Sequence, residues 1–281
     1  MKVLSLQSWV SYGHVGNAAA MFPLQRLGAE VWAVHTVQFS NHTGYGDWAG
    51  EVFDGNAISS IVGGIARRGV LETCDAVLSG YLGGPDIGAA VRDAVRQVKS
   101  ANPRAIYCCD PVIGDDGSIY VRPGVPELLR TELLPAADIA IPNAFELALL
   151  SEAEPTTLAS AKTAVTRLQA IGPGTVLVSG LSTETTPIDS LDLLVGENGS
   201  FYLLRTPRLP VTLNGTGDLL AALFLYHYLA NHAARPALER ATSSVFGVIR
   251  LTSDKGSAEL ELIAAQEELI RPTRLFTAIP C

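Results

Sequence analysis

Short β-type runs alternate with helical patterns along most of this 281-residue chain. The runs at 2–6, 30–37, 76–79, 105–109, 138–141 and 175–179 read as strands, and the spans 15–27, 51–68, 86–100, 124–133, 144–150 and 157–171 read as helices. Parallel strands need crossovers, and the crossover helices must return over the faces of the sheet. The expected fold is therefore α/β, with a mostly parallel central sheet between two helical layers. Gly28 suits the residue just past the first helix, and Pro85 the first turn of the third. The pattern changes near 190. Runs at 191–196 and 200–206 flank Glu197-Asn198-Gly199, a hairpin signal that belongs at one sheet edge. Three helices are expected after it, near 218–231, 236–252 and 257–269. With neither an internal repeat nor a composition break, one domain over residues 1–281 is expected.

Composition narrows the partners. Hydrophobic content of 48% with 17% charged residues is that of a globular enzyme, not of a disordered chain. A net charge of −8 argues against nucleic acid and against an anionic membrane surface. No run of 18 apolar residues is present, so no membrane span is expected. The start, Met1 to Ser8, turns polar too soon for a signal peptide and reads as a first strand. Cys74, Cys108, Cys109 and Cys281 fit neither a zinc site nor a disulfide framework, so a reducing cytoplasm is the expected compartment.

In open α/β sheets ligands bind beyond the carboxyl ends of the strands. In this chain those ends are polar, rich in glycine and carry carboxylates. The most telling stretch is Asn214-Gly215-Thr216-Gly217-Asp218, which runs into the apolar segment 219–229. A glycine-rich turn opening a helix leaves backbone N–H groups without intrahelical partners, and with the helix dipole these form an anion site. A carboxylate at its rim would repel a phosphate unless it serves to take a proton from an attacking hydroxyl. Asp218 thus suggests phosphoryl transfer to an alcohol. An ordinary Asp N-cap after a tight turn would look the same in sequence. Asp110, Asp115 and Glu146 form a second group at successive strand ends. They suit a hard cation such as Mg²⁺ on nucleotide phosphates, or else a solvated turn and a first-turn helix charge. Of the histidines, only His42 sits in a strand-end loop where it could meet a substrate. The zinc-hydrolase, serine-nucleophile, dinucleotide and P-loop patterns are all absent, so any ATP use proceeds without a P-loop lysine.

These segments resemble the pyridoxal/pyridoxamine kinases of the ribokinase superfamily. The likeness covers nearly the whole chain. It runs through Gln7-Ser8-x-Val10, Gly13-x-Val15-Gly16-Asn17, Phe39-Ser40-Asn41-His42-Thr43-Gly44-Tyr45, Ser79-Gly80-Tyr81, Asp110 to Asp115, Pro142-Asn143 with Glu146, and Gly215 to Asp218. The resemblance implies a ribokinase-like three-layer fold without a separate lid domain. It implies ATP-dependent phosphorylation of the 5′-hydroxymethyl group of pyridoxal, and of pyridoxamine and pyridoxine, in vitamin B6 salvage. By it Asp218 matches the base, and the amides of Gly215, Thr216 and Gly217 match the hole for the transferring phosphoryl group. Ser8, His42, Thr43 and Tyr81 would meet the vitamer, with Val15, Val37 and Phe39 on its apolar side. Asp110, Asp115 and Glu146 would face metal and phosphates, with Asn143, Ser179, Gly215 and Thr216 also on the nucleotide. Family members are commonly homodimers and use Mg²⁺ with a monovalent cation such as K⁺.

The chain departs from the family pattern in places. Ile141 stands where a threonine often precedes the Pro-Asn pair, and its side chain cannot supply an oxygen to a monovalent cation. Ser179-Gly180 replaces a lysine or threonine of some relatives, and the loop after Asp115 is short. Three other readings compete: a hydroxymethylpyrimidine (phosphate) kinase, a pyridoxal-binding homeostasis protein without turnover, and a sugar kinase. The expected early insertion of a sugar-kinase lid is missing.

Overall fold

Residues 1–115 and 117–281 are described by a computed structural model. Its elements run in chain order as β1 (Lys2–Val10), α1 (Asn17–Arg26), β2 (Glu30–Phe39), β3 (Gly50–Val52), α2 (Gly55–Ala66), β4 (Ala76–Ser79), α3 (Pro85–Ala101) and β5 (Ile106–Cys109). A small hairpin follows, β6 (Gly114–Asp115) and β7 (Ser118–Ile119), then α4 (Val125–Leu128), β8 (Ile139–Ala140), α5 (Ala144–Ser151), α6 (Leu158–Gln169) and β9 (Thr175–Leu181). The last third holds β10 (Ser190–Glu197), β11 (Ser200–Pro207), α7 (Thr216–Asn231), α8 (Ala234–Lys255), α9 (Gln266–Ile270) and β12 (Ile279–Pro280).

The main sheet has ten strands in the order β12-β11-β10-β9-β8-β5-β4-β1-β2-β3. Its six central strands, β2 through β9, are parallel, and both edges are antiparallel. The chain leaves β1 toward β2 and later returns to its other side as β4, so the strand order reverses at β1. That reversal opens a crevice at the carboxyl ends of the strands.

Burial alternates as the strands require. Leu4, Leu6, Val77, Val176 and Val178 pack under α2, α3, α5 and α6. Val3, Leu78, Cys108, Ile139 and Leu177 pack under α1, α7 and α8 on the opposite face. The three-layer expectation therefore holds. Helix α7 is apolar on nearly every side, with Leu219 through Leu225 all buried, because it lies between α1 and α8. No helix among the described residues is long and apolar enough to cross a membrane.

Three expectations need correction. The helix expected over 257–269 is only Gln266–Ile270. Leu260 and Leu262 are both buried two residues apart, a strand-like spacing, and Ser257 Oγ and Thr252 Oγ1 bond the backbone of Glu259 and Glu261. Such side-chain bonds offer the backbone an alternative to the helix. The helix expected from 51 starts at Gly55, capped by Asp54, whose carboxylate accepts from Ala57 N–H at 2.7 Å. Residues 50–52 before it form the edge strand β3. The span 124–133 is one turn of α-helix that passes into a π-helical turn, Leu129–Leu133.

Candidate active site

A cleft of about 940 Å³ opens over the carboxyl ends of the parallel strands. It gathers Ser8, Val15, Phe39, His42, Thr43 and Tyr81 from the first three strand ends. From the later ones it gathers Asp110, Asp115, Asn143, Glu146 and Ser179, and the turn Gly215-Thr216-Gly217-Asp218 closes the set. Val37 is the exception. It is fully buried behind the cleft, in a small apolar cluster with Val10, Val15 and Phe39.

Local structure explains how each side chain arrives there. Between Gln7 and Trp9 of β1 the pairing with β2 shifts by one residue, and Ser8 occupies that shift. Bulges of this kind re-aim side chains near functional sites. Tyr81 follows β4, and its carbonyl is held by Thr36 Oγ1 at 2.7 Å. His42 begins a 3₁₀ turn, Thr43–Tyr45, and its Nδ1 accepts from Gly44 N–H at 3.2 Å.

Two helix starts meet in the cleft, and they are built differently. At α5 the donors are closed off. Asn143 Oδ1 accepts from Glu146 N–H at 2.8 Å, and Glu146 Oε2 accepts from Asn143 N–H at 2.9 Å, a complete capping box. Glu146 Oε1 also accepts from Ile113 N–H at 2.8 Å, which ties the loop after β5 to this helix. At α7 no side chain caps the start. The N-cap is Gly215 in the left-handed region, φ 81°, with no side-chain cap hydrogen bond. Asp218 is therefore not the N-cap; it lies in the first turn of α7, and a helix start without a side-chain cap is the kind that can bind an anion.

Gly215 is fixed by two constraints. Its φ disfavours any side chain, and a Cβ there would run into the carbonyl of His14. Gly217 differs, because a Cβ there meets nothing within 4 Å.

The cleft is strongly acidic. Four carboxylates line it, Asp110, Asp115, Glu146 and Asp218, with no Lys or Arg among the described lining residues. Burial pushes the Asp110 carboxyl well above the ordinary range, and repulsion from Glu146 and Asp218 adds to this. Burial raises Glu146 to about 7, although three backbone N–H groups favour its charged form. Asp218 is raised by burial as well, with the Gly16 amide acting against the shift.

The opposite end of the cleft is apolar, walled by Leu191, Leu193, Leu209, Val211, Phe246 and Ile249 among others. Sequence reasoning missed this wall. Its residues come from the hairpin, the loop before α7 and one face of α8, and no motif links them. Tyr120, also missed, lines the cleft beside the carboxylates.

A family model described as phosphomethylpyrimidine kinase matches residues 68–261. The pyridoxal kinase of Granulibacter bethesdensis is 57% identical over 100% of both chains. That of Rubrobacter xylanophilus is 48% identical over 98% of this chain and 96% of its own. Among solved structures, the pyridoxal kinase of Leishmania donovani in complex with ADP and pyridoxamine matches with a TM-score of 0.92. It is 33% identical, over 100% of this chain and 99% of that one.

The chain belongs to the pyridoxal kinase family. The match to the broader family model begins at residue 68. It therefore includes the α7 turn and the acidic strand ends but leaves out Ser8, Val15, Phe39, His42 and Thr43.

The two glycines of the α7 turn separate architecture from ligand contact. Gly215→Ala is expected to lower stability by about 1–3 kcal/mol, the usual cost of forcing a side chain into a left-handed site. Gly217→Ala should stay within about 0.5 kcal/mol of wild type, as a substitution into open space. Urea unfolding of both variants checks this, and equal midpoints would contradict the account of Gly215.

Proposed function

We propose that this chain transfers the terminal phosphoryl group of ATP to the 5′-hydroxymethyl group of pyridoxal, pyridoxamine and pyridoxine, acting as a single unit over residues 1–281. The observation that carries the reading is the uncapped start of α7 with Asp218 in its first turn. Asp218 takes the proton of the hydroxymethyl group as its oxygen bonds to phosphorus and the bond to ADP breaks. Burial raises the proton affinity of Asp218, the direction that makes a carboxylate a stronger base. The amides of Gly215, Thr216 and Gly217 point at the transferring group and stabilise the charge gathering on its oxygens. Ser8, His42, Thr43 and Tyr81 orient the vitamer ring, with Val15 and Phe39 on its apolar side and Val37 supporting them from behind. Asn143 and Ser179 stand on the nucleotide side, and the apolar wall receives the base.

Four carboxylates, with no Lys or Arg among the described lining residues, fit a cleft whose positive charge arrives with the nucleotide. We assign that charge to Mg²⁺ carried by ATP, held on the protein side by Asp110 and Asp115. Glu146 acts there through the loop it secures. When bound, the ion neutralises phosphate charge. No three such side chains among the described residues could cage a metal alone, which suits an ion held mainly by phosphates and water. Ile141 offers no side-chain oxygen, so the proposal places no K⁺ ligand there. A cytoplasmic homodimer belongs to the same reading, on the strength of the resemblance.

Hydroxymethylpyrimidine (phosphate) kinase is the second reading, favoured by the family model over 68–261. Ser8, His42 and Thr43 lie outside that match and favour a pyridine ring. Purified protein given Mg-ATP with each of pyridoxal, pyridoxamine, pyridoxine and hydroxymethylpyrimidine is expected to prefer a pyridine vitamer by kcat/KM. Preference for the pyrimidine would select the second reading. Tight pyridoxal binding without any phosphorylated product would select a binding protein.

Thr43 supplies a neutral hydrogen bond at the ring edge. Leaving a buried ligand group without its partner costs about 1–3 kcal/mol, or roughly ten- to a hundredfold. Thr43→Val is expected to raise the pyridoxal KM by that order and to leave the ATP KM nearly unchanged. Initial-rate kinetics with each substrate varied in turn checks this, and an unmoved pyridoxal KM would remove Thr43 from the ring contacts.

A further inference from the structure

Glu259 lies far from every motif above, in the irregular segment between α8 and α9, yet its carboxylate reaches two segments beside the cleft. Oε1 accepts from the Tyr45 hydroxyl at 2.6 Å, across 214 residues of sequence. Oε2 accepts from the His14 backbone N–H at 3.0 Å. The carboxylate is seated against Gly13, whose φ is 91° and where any side chain would enter its space. The segment carrying it is anchored in turn. Ser257 Oγ donates to the Glu259 carbonyl at 2.8 Å, and Glu261 N–H donates to Thr252 Oγ1 on α8 at 3.0 Å.

Both partners matter to the site. Tyr45 ends the turn that presents His42, Thr43 and Gly44 to the cleft. Its ring also meets Tyr12 at 6.2 Å between centroids. His14 carries the carbonyl that lies against Gly215, the first residue of the proposed phosphoryl site, and Leu260 closes on the same glycine. Two residues after His14, the Gly16 amide faces the Asp218 carboxylate. One carboxylate thus joins the loop expected to hold the vitamer to the loop that seats the glycine turn.

We propose that Glu259 is a positioning residue that latches the His42–Tyr45 turn through the Tyr45 hydroxyl and so sets the vitamer pocket in register with the α7 turn. Glu259 is not among the residues that line the cleft; it acts through Tyr45 and His14. The proposal rests on the kinase reading above. Tyr45 is half exposed, and the latch is its bond into the C-terminal third of the chain. Without that bond the turn carrying His42 and Thr43 keeps only its local bonds, such as those from Asn41 Nδ2 to the His42 and Asp47 carbonyls, and loses this tie to the C-terminal third, while the nucleotide wall, built from the hairpin and α8, is untouched.

The test is steady-state kinetics of wild type, Tyr45→Phe, Glu259→Ala, Glu259→Gln and the Tyr45→Phe/Glu259→Ala double variant, with pyridoxal and ATP varied separately. Wild type must first phosphorylate pyridoxal; if it does not, the kinase reading fails and the latch is not at issue. Given that activity, Tyr45→Phe and Glu259→Ala are each expected to raise the pyridoxal KM about tenfold while the ATP KM moves less than twofold. Glu259→Gln keeps one acceptor oxygen and should fall between Glu259→Ala and wild type. The double variant should be no worse than the poorer single variant, because residues acting as one unit are not additive. Tyr45→Phe removes a single half-exposed hydroxyl, so it decides the matter even if Glu259→Ala folds poorly. A pyridoxal KM within twofold of wild type in Tyr45→Phe, an equal rise in the ATP KM, or a double variant equal to the product of the singles would each overturn the latch.

Discussion

The structure turns on one helix terminus that is left open. Buried helix starts normally have their first amides satisfied, as Asn143 and Glu146 satisfy those of α5. At α7 the chain places a left-handed glycine and no side-chain cap. An open terminus keeps its geometry only if the helix behind it cannot move. Helix α7 meets that condition by burying Leu219 through Leu225 between α1 and α8. The glycine turn is also pressed from outside by the His14 carbonyl. Rigidity of the scaffold and openness of the terminus therefore go together, and the proposed phosphoryl site depends on both.

The second constraint is charge. Burial raises the proton affinity of Asp110, Glu146 and Asp218, and Asp110 is pushed further by the other two, in a cleft with no Lys or Arg among its described lining residues. Such an arrangement is unfavourable for the empty protein, and in the proposed reading a divalent ion carried by the nucleotide would relieve it. The carboxylates also divide their labour by environment. Glu146 is spent on backbone amides and serves as a clamp, whereas Asp218 stands within an open helix terminus.

Much of this was legible in the sequence, for physical reasons. The strands and crossover helices announce themselves through periodicity, and the strand ends follow from them. The α7 turn is legible as a glycine-rich helix start beside an acid, although an ordinary Asp N-cap reads the same in sequence and only the structure puts Gly215 at the cap and Asp218 inside the first turn. The residues expected at the vitamer, Ser8, His42, Thr43 and Tyr81, rest on family resemblance, not on any property a single loop could reveal. Other features were hidden. The apolar wall is assembled from Leu191, Leu209 and Phe246, which look like ordinary core in sequence. Glu259 gives no local sign of a partner 214 residues away. The false helix over 257–269 arose because Leu260 and Leu262, buried at a spacing of two, sit in a stretch of good helix formers.

The central claim is that Asp218 removes the proton and does little else. The most direct measurement is the turnover of Asp218→Asn at saturating Mg-ATP and pyridoxal, beside the affinity of the variant for each. Loss of a general base typically costs about 10²–10⁴-fold. The account predicts a fall of that order with both affinities within a few-fold of wild type. Turnover close to that of wild type, with both substrates bound, would contradict it.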